Sequence, residues 1–274
     1  MLSKRLLTAA IGIPAAIFLV NNGGLPFYAV ISILTIIALT ELTGMLKHCG
    51  FAPSIVICLA ISLLMVAVAY FGNFEEMGFL VTVLILATLL KLVYSNSTFT
   101  LPDAAFTILS ALYVGWLFSF LVLLRNVSVV YTDTPLGQMQ TGAIYTWLAV
   151  LSTWASDTFA YFVGSAIGKR KLCPQISPGK TVEGLVGGLA GSLIVAVCVG
   201  LTAKIPLGHS FAIGLLIGIL APLGDLVESI FKRYSGVKDS GKFFPGHGGV
   251  LDRFDSIFFV VPATYYYIRV FLIN

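Results

Sequence analysis

Residues 208–255 read GHSFAIGLLIGILAPLGDLVESIFKRYSGVKDSGKFFPGHGGVLDRFD. An apolar run over 208–231 is long enough to cross a bilayer, for which about 20 residues suffice. It runs into a loop crowded with Lys, Arg, Asp and His, and a second apolar run follows from 254. The rest of the chain is of the same kind. Of its 274 residues 58% are hydrophobic and 10% charged, and the mean hydropathy is +0.99. A soluble core of this size would need a polar surface, and so few charges cannot build one. The segments are continuously apolar rather than alternating, which argues against a β-barrel.

Working outward from that stretch, nine apolar segments lie near 6–21, 26–46, 53–71, 77–94, 104–124, 143–167, 184–203, 208–231 and 254–273. Turn residues mark the joints: Asn21-Asn22-Gly23-Gly24, Cys49-Gly50 with Pro53, Asn73, Ser95-Asn96-Ser97 and Pro135-Leu136-Gly137. The fold class expected is all-α, a polytopic integral membrane protein with about nine transmembrane helices. Lys4 and Arg5 before the first segment resemble the start of a signal peptide. The spans that follow favour an uncleaved first helix. With the N-terminus in the cytoplasm, Arg125, Lys204 and Arg269 fall outside and the rest of the 16 Lys and Arg residues inside, as the positive-inside rule asks. Loops 168–183 and 232–253 then share the cytoplasmic face.

Polar content rises after residue 150. Residues 1–141 read as scaffold helices and 142–274 as the working half of one integrated membrane domain. Glu41 is the main polar exception in the first part and reads as lying near a helix end. The four cysteines show no CxxC spacing and read as small apolar fillers.

Several groups in the working half could carry chemistry. Asp157 sits deep in an apolar segment, where an ionisable group costs about 2.5–3.5 kcal/mol and usually faces a polar cavity or a partner. It is either a packing carboxyl or an acid facing metal or substrate. Gly179-Lys180-Thr181 resembles the end of a P-loop, but the glycine that pattern needs is Pro174 and no strand is expected before it. What remains is a helix start, with Ser177 and Thr181 at the entry and Glu183 in the first turn. Such an N-terminus with Lys180 can bind phosphate, or can be an ordinary capped helix. Asp225, Glu228, Ser229 and Lys232 share one helix face by their spacing. Glu228 and Lys232 can neutralise each other, which leaves Asp225 without an obvious partner. Asp252 and Asp255 open the last span, where capping alone would explain acids. Together, Asp157, Asp225 and Asp252 lie on three spans at or below the cytoplasmic interface. A few aspartates with water and substrate phosphates suit Mg²⁺. Lys180, Lys232, Arg233, Lys238 and Arg253 would neutralise a polyphosphate.

The run from Ser229 to Asp255 resembles the signature of the CDP-diacylglycerol synthases, or phosphatidate cytidylyltransferases. The matching positions are Ser229, Lys232-Arg233, Lys238-Asp239, Pro245, His247-Gly248-Gly249, Asp252-Arg253 and Asp255. Ser177–Gly184 resembles a second block of that family, which usually has Lys where Gly179 stands, and Asp157 with Ala160-Tyr161 resembles a third. The resemblance implies a multi-pass, homodimeric enzyme of the cell membrane with its active site facing the cytoplasm. It implies synthesis of CDP-diacylglycerol and pyrophosphate from CTP and phosphatidate, with no nucleic-acid partner. It further implies Mg²⁺, with K⁺ as a possible second cation, at Asp225 and Asp252, with Asp255 a further metal candidate. Lys232, Arg233, His247 and Arg253 become catalytic candidates. Ser177, Lys180, Thr181, Ser229, Lys238, Asp239, Gly248, Gly249 and Asp157 become substrate-binding candidates. Two rivals are a synthase for ether-linked archaeal lipids and, from another class, a cation-coupled transporter. A transporter would more often show repeated halves, and no repeat is visible.

Overall fold

The computed structural model describes residues 2–135 and 137–273. Leu136 of the Pro135–Gly137 joint and the side chains of Lys4 and Arg5 lie outside that description. Among the described residues the apolar segments fold as nine helical rods. They are α1 (Leu2–Asn22), α2 (Gly24–His48), α3 (Ile55–Phe71) and α4 (Glu76–Tyr94), then a fifth rod of α5 (Leu101–Ser110), a π-helical stretch (Ala111–Trp116) and α6 (Leu117–Arg125). After these come α7 (Thr141–Ile167), α8 (Val182–Thr202), α9 (Leu207–Tyr234) and α10 (Leu251–Phe271). Five of them, namely α2, α4, the fifth rod, α8 and α9, are long and apolar enough to cross a membrane. Large apolar side chains such as Phe18, Leu86, Val186 and Ile219 stay exposed, which suits a surface in contact with lipid. The chain is a helical, multi-pass membrane protein.

Strands intrude on the all-α expectation only in two joints. β1 (Tyr131–Thr134) pairs antiparallel with β2 (Gly137–Gln140), and β3 (Lys171–Cys173) with β4 (Ser177–Thr181). The stretch before α8 was expected to hold no strand. Its backbone groups need partners, and the loop supplies them by folding on itself with Lys171 opposite Thr181 and Cys173 opposite Ser177.

The backbone forms two compact units that interleave along the chain. One holds the residues up to Leu123 together with Phe231–Arg253, and the other holds Leu124–Ile230 together with the residues from Phe254 on. In the first unit Ala38, Leu39 and Leu42 of α2, Met65 and Val66 of α3, Leu84 of α4 and Phe118 and Phe120 of α6 are wholly buried. The π-helical stretch sits against α3 at Gly115, where a Cβ would run into Ser62, its backbone included. The α2–α3 joint is anchored by polar groups. Asp103 completes a capping box with Thr100 at the start of α5 and also accepts the Ala52 N–H at 2.5 Å. Thr107 accepts from the Ser54 N–H at 2.8 Å, and Lys91 donates to Ser54 Oγ at 2.7 Å.

The second unit is built on glycine. A Cβ on Gly184 of α8 would lie 2.8 Å from Ala160 O and 3.3 Å from Gly164 Cα of α7, and one on Gly188 would lie 2.9 Å from Ser156 O. Gly214 and Gly218 of α9 likewise face Ser192, Leu193 and Leu189 of α8. The small-xxx-small spacings of α8 and α9 therefore serve packing within the chain. Ser192 Oγ donates to Gly214 O at 3.0 Å in the buried seam. Arg125, placed outside by the charge rule, is buried in this unit and donates to Gln140 Oε1 of β2 at 2.7 Å.

This packing gives a direct test. Gly184→Val forces apart two backbones and should destabilise by about 1–3 kcal/mol. Gly78→Ala, where nothing lies within 4 Å, should not. Thermal unfolding in detergent measures both, and an unshifted Gly184→Val would refute the close α7–α8 seam.

Candidate active site

Among the described residues an aspartate–lysine pair is seen in each unit. In the second unit α8 begins at Val182 behind the N-cap Thr181, whose side chain accepts the Gly184 N–H at 3.1 Å. Thr181 is buried, so its hydroxyl serves the helix start. Glu183 turns back and accepts the N–H groups of Lys169 and Arg170 at 3.1 Å and 3.2 Å. With β3–β4 this fixes the strand that carries Lys180. Its ammonium lies 2.9 Å from Asp225 Oδ2 and 3.3 Å from the Pro222 carbonyl of α9. Ser229, one turn on, donates to Asp225 Oδ1 at 3.2 Å. Asp225, expected to lack a partner, is thus matched by a lysine from a different loop, which spacing along α9 could not reveal.

In the first unit the loop from Ser235 to Val250 leads into α10. Lys232 lies 2.8 Å from Asp252 Oδ1. Oδ2 of Asp252 accepts from the Ser240 N–H at 2.8 Å, the Ser240 hydroxyl at 2.9 Å and the Gly249 N–H at 2.8 Å. The bond to Gly249, three residues earlier, ties the loop to the first turn of α10. Burial alone would raise the Asp252 pKa. The donors, Lys232 first, outweigh it and hold the carboxyl below its usual value.

A second carboxylate, Glu41 of α2, completes the cap. Glu41 Oε1 accepts the Val250 N–H at 3.0 Å and Oε2 accepts the Leu251 N–H at 3.0 Å; the Ser240 hydroxyl, 3.1 Å from Oε2, shares its one proton between Glu41 and Asp252. Glycines let the loop close over these acids. Gly248 has φ +85°, a left-handed backbone that favours glycine, and its Cβ would lie 2.5 Å from Asp252 Oδ2. A Cβ on Gly241 or on Gly249 would collide with the Glu41 side chain. The Gly249 N–H is therefore already engaged by Asp252.

The remaining candidates are placed as follows. His247 is half-buried, its Nδ1 is buried without a hydrogen-bond partner within the chain, and its carbonyl accepts from Arg253 Nε at 3.0 Å. Arg233, Lys238, Asp239 and Arg253 are exposed. Asp157 lies on an exposed face of α7, and Asp255 is half-buried in α10. Among the described residues no three or more His, Cys, Asp or Glu side chains gather as a ready metal cage. A cavity of about 430 Å³ opens in the first unit between α2, at Thr40, Glu41 and His48, and the loop at Lys238, Ser240 and Lys242. Glu41 and Ser240 were missed as site residues. The available signal for Glu41 was that it is the only acid before Glu75, and it sits in an apolar run. Ser240 carried none.

The fold is that of a polytopic membrane protein, and a basic loop and a helix start with a lysine are groups that can hold an anionic, phosphorylated ligand. The chain belongs to the Cytidylyltransferase family, which it matches over residues 3–271. It is 37% identical to the phosphatidate cytidylyltransferase of Bacillus subtilis over 276 residues, covering 98% of each chain. It is 39% identical to the phosphatidate cytidylyltransferase of Staphylococcus saprophyticus, covering 94% of this chain and 95% of the relative. It is 35% identical to that of Synechocystis, covering 99% and 98%.

The two pairs differ in burial, and their strengths should follow. The Lys180–Asp225 side chains are 22% and 34% exposed, those of Lys232 and Asp252 15% and 6%. Lys180→Met should cost at most about 1 kcal/mol, whereas Lys232→Met, which strands a buried carboxylate, should cost about 3 kcal/mol. Equal melting shifts for the two variants in detergent would contradict this ordering.

Proposed function

We propose that this protein transfers the cytidylyl group of CTP to phosphatidate, giving CDP-diacylglycerol and pyrophosphate for phospholipid synthesis. The observation that carries it is the near full-length match to the family and to relatives bearing the name phosphatidate cytidylyltransferase. These relatives favour neither the transporter nor the archaeal-lipid reading.

A phosphate oxygen of phosphatidate attacks the α-phosphorus of CTP. A new P–O bond forms, the bond to the β-phosphate oxygen breaks, and pyrophosphate leaves with the electron pair. A phosphomonoester is already largely ionised near neutral pH, its second pKa being about 6. Charge neutralisation and alignment matter more than a general base. Lys180, Lys232, Arg233, Lys238 and Arg253 supply positive charge for the phosphates, and Ser177 and Ser229 lie on the same two motif blocks. His247 Nδ1, unpartnered within the chain, can hold a phosphate oxygen. The cavity beside Lys238 and Lys242 lies within the range of about 300–1,000 Å³ usual for small-ligand sites and suits the nucleotide.

We assign Mg²⁺, with K⁺ as a second cation, to Asp225 and Asp252 on the resemblance of their motif blocks. Asp225 is about a third exposed, and each of Asp225 and Asp252 already has an ammonium at 2.8–2.9 Å, standing where a cation would be drawn. Asp225 and Asp252 would hold the cations and Asp255 assist, while Lys180 and Lys232 turn to substrate phosphate. Bound there, the cation would offset charge on the triphosphate. Asp157 is assigned to the substrate side on the resemblance of its block.

The proposal further places nine spans in the cell membrane, with the N-terminus and loops 168–183 and 232–253 in the cytoplasm. This is supported by the charge pattern and by rods that coincide with the apolar segments. The working form is a homodimer, on the resemblance alone.

Labelled CTP, phosphatidate and Mg²⁺ with the purified protein in detergent should yield labelled CDP-lipid. No product from a folded sample would overturn the reaction. Asp225→Asn and Asp252→Asn should each lower turnover at least about 100-fold, about 2.7 kcal/mol of barrier. Near-normal turnover with unchanged Mg²⁺ dependence in either variant would remove that residue from the cation site.

A further inference from the structure

We propose that Glu41 is a positioning residue for the reaction, holding the 240–251 loop and, through it, the Asp252 carboxylate in working geometry. This rests on the assignment of Asp252 made above. A carboxylate offers about four acceptor sites; Glu41 uses two on the Val250 and Leu251 N–H groups and a third on the Ser240 hydroxyl, whose single proton it shares with Asp252. All three partners belong to the segment that carries Asp252. Ser240 connects the two acids, since its hydroxyl lies 3.1 Å from Glu41 Oε2 and 2.9 Å from Asp252 Oδ2 while its N–H donates to Asp252.

Glu41 comes from α2, some 200 residues away in sequence, and from a helix whose neighbouring residues Leu39, Leu42 and Thr43 are buried. The α2 side is therefore fixed, and the loop is the partner that has to be held. Glycine at 241 and 249 leaves just the room that the Glu41 side chain fills. Without an acceptor from α2, the N–H groups of Val250 and Leu251 would lose their partners at the helix start, and the turn bearing Asp252 would be free to fray. Glu41 also lines the cavity beside Lys238, so a loosened loop would disturb the cavity wall as well.

The test uses the full-length protein in detergent and the variant Glu41→Gln. It keeps the side chain's size but replaces one acceptor oxygen with an NH₂ that faces an N–H. The expected result is a folded protein with two changes. Amide hydrogen exchange over 240–251 accelerates at least about tenfold, and turnover falls by about 10–100-fold, the range for residues that orient a ligand from behind. Exchange unchanged over 240–251 overturns the proposal whatever the turnover, because Glu41 would then act otherwise than by holding the loop. Faster exchange with wild-type turnover overturns it equally. Should Glu41→Gln fail to fold, Ser240→Ala removes only the hydroxyl link. It is expected to change both readouts in the same direction and less strongly, and no change in either overturns the proposal. Asp252→Asn run alongside separates the two claims. If that variant keeps normal turnover and Mg²⁺ dependence, the Asp252 assignment fails by itself, while the exchange measurement still reports on Glu41.

Discussion

A helix that starts inside a membrane protein leaves its first N–H groups without partners, and in a dry environment each must find one. The start of α10 meets that requirement with two carboxylates. Asp252 takes the Gly249 N–H, and Glu41 takes those of Val250 and Leu251. The rest of the first unit's polar architecture follows from this. Two acids side by side repel unless matched, so Lys232 comes to Asp252 and Ser240 lies between them. The backbone must approach closely enough to donate, so Gly241, Gly248 and Gly249 stand where a side chain would collide. Capping, often the dull explanation of an acid at a helix start, here builds the loop that the family resemblance marks as functional.

The second unit solves a similar problem by other means. Lys180 must reach α9 from a loop, and the loop is stiffened by a hairpin, by the Thr181 cap and by Glu183 reaching back to two backbone N–H groups. The helices that carry this apparatus are drawn together by glycine faces rather than by large apolar knobs. In lipid, burying apolar area gains little, because the tails are as apolar as leucine, and close backbone approach does more. The first unit, by contrast, has a core of Leu, Met and Phe.

Much of the fold was legible in the sequence. The nine apolar segments coincide with the nine rods among the described residues to within a few positions, because hydropathy and length are local properties. The hairpins were not legible. Ser177–Thr181 has the residues of a helix entry, and only pairing with Lys171–Cys173 makes it a strand. The candidate site residues were named as a list, on the resemblance of the long Ser229–Asp255 run. Their pairing was not legible. Spacing along α9 left Asp225 without a partner, and it could not foresee a lysine arriving from residue 180. Glu41 shows the limit most clearly. A lone acid in an apolar helix announces that something polar is near, yet nothing along the chain says that the something lies 200 residues on.

The lysine partners bear on how the two aspartates are kept within their helices. An isolated carboxylate at a membrane-embedded helix is costly, and a lysine at 2.8–2.9 Å offsets that cost while leaving the pair nearly neutral. Lysine suits this better than arginine. Its ammonium is a point charge on a flexible stem and can leave one oxygen for another, whereas a guanidinium fork is held by two. Asp225, about a third exposed, is the easier carboxylate to reach. Asp252, with two backbone N–H groups and a shared hydroxyl on one oxygen and a lysine on the other, stays where the loop puts it. In the proposed reaction, a substrate phosphate would offer each lysine a stronger partner and free one oxygen of its aspartate for a cation. Ligand and cation would therefore bind with mutual support, each lowering the electrostatic cost of the other.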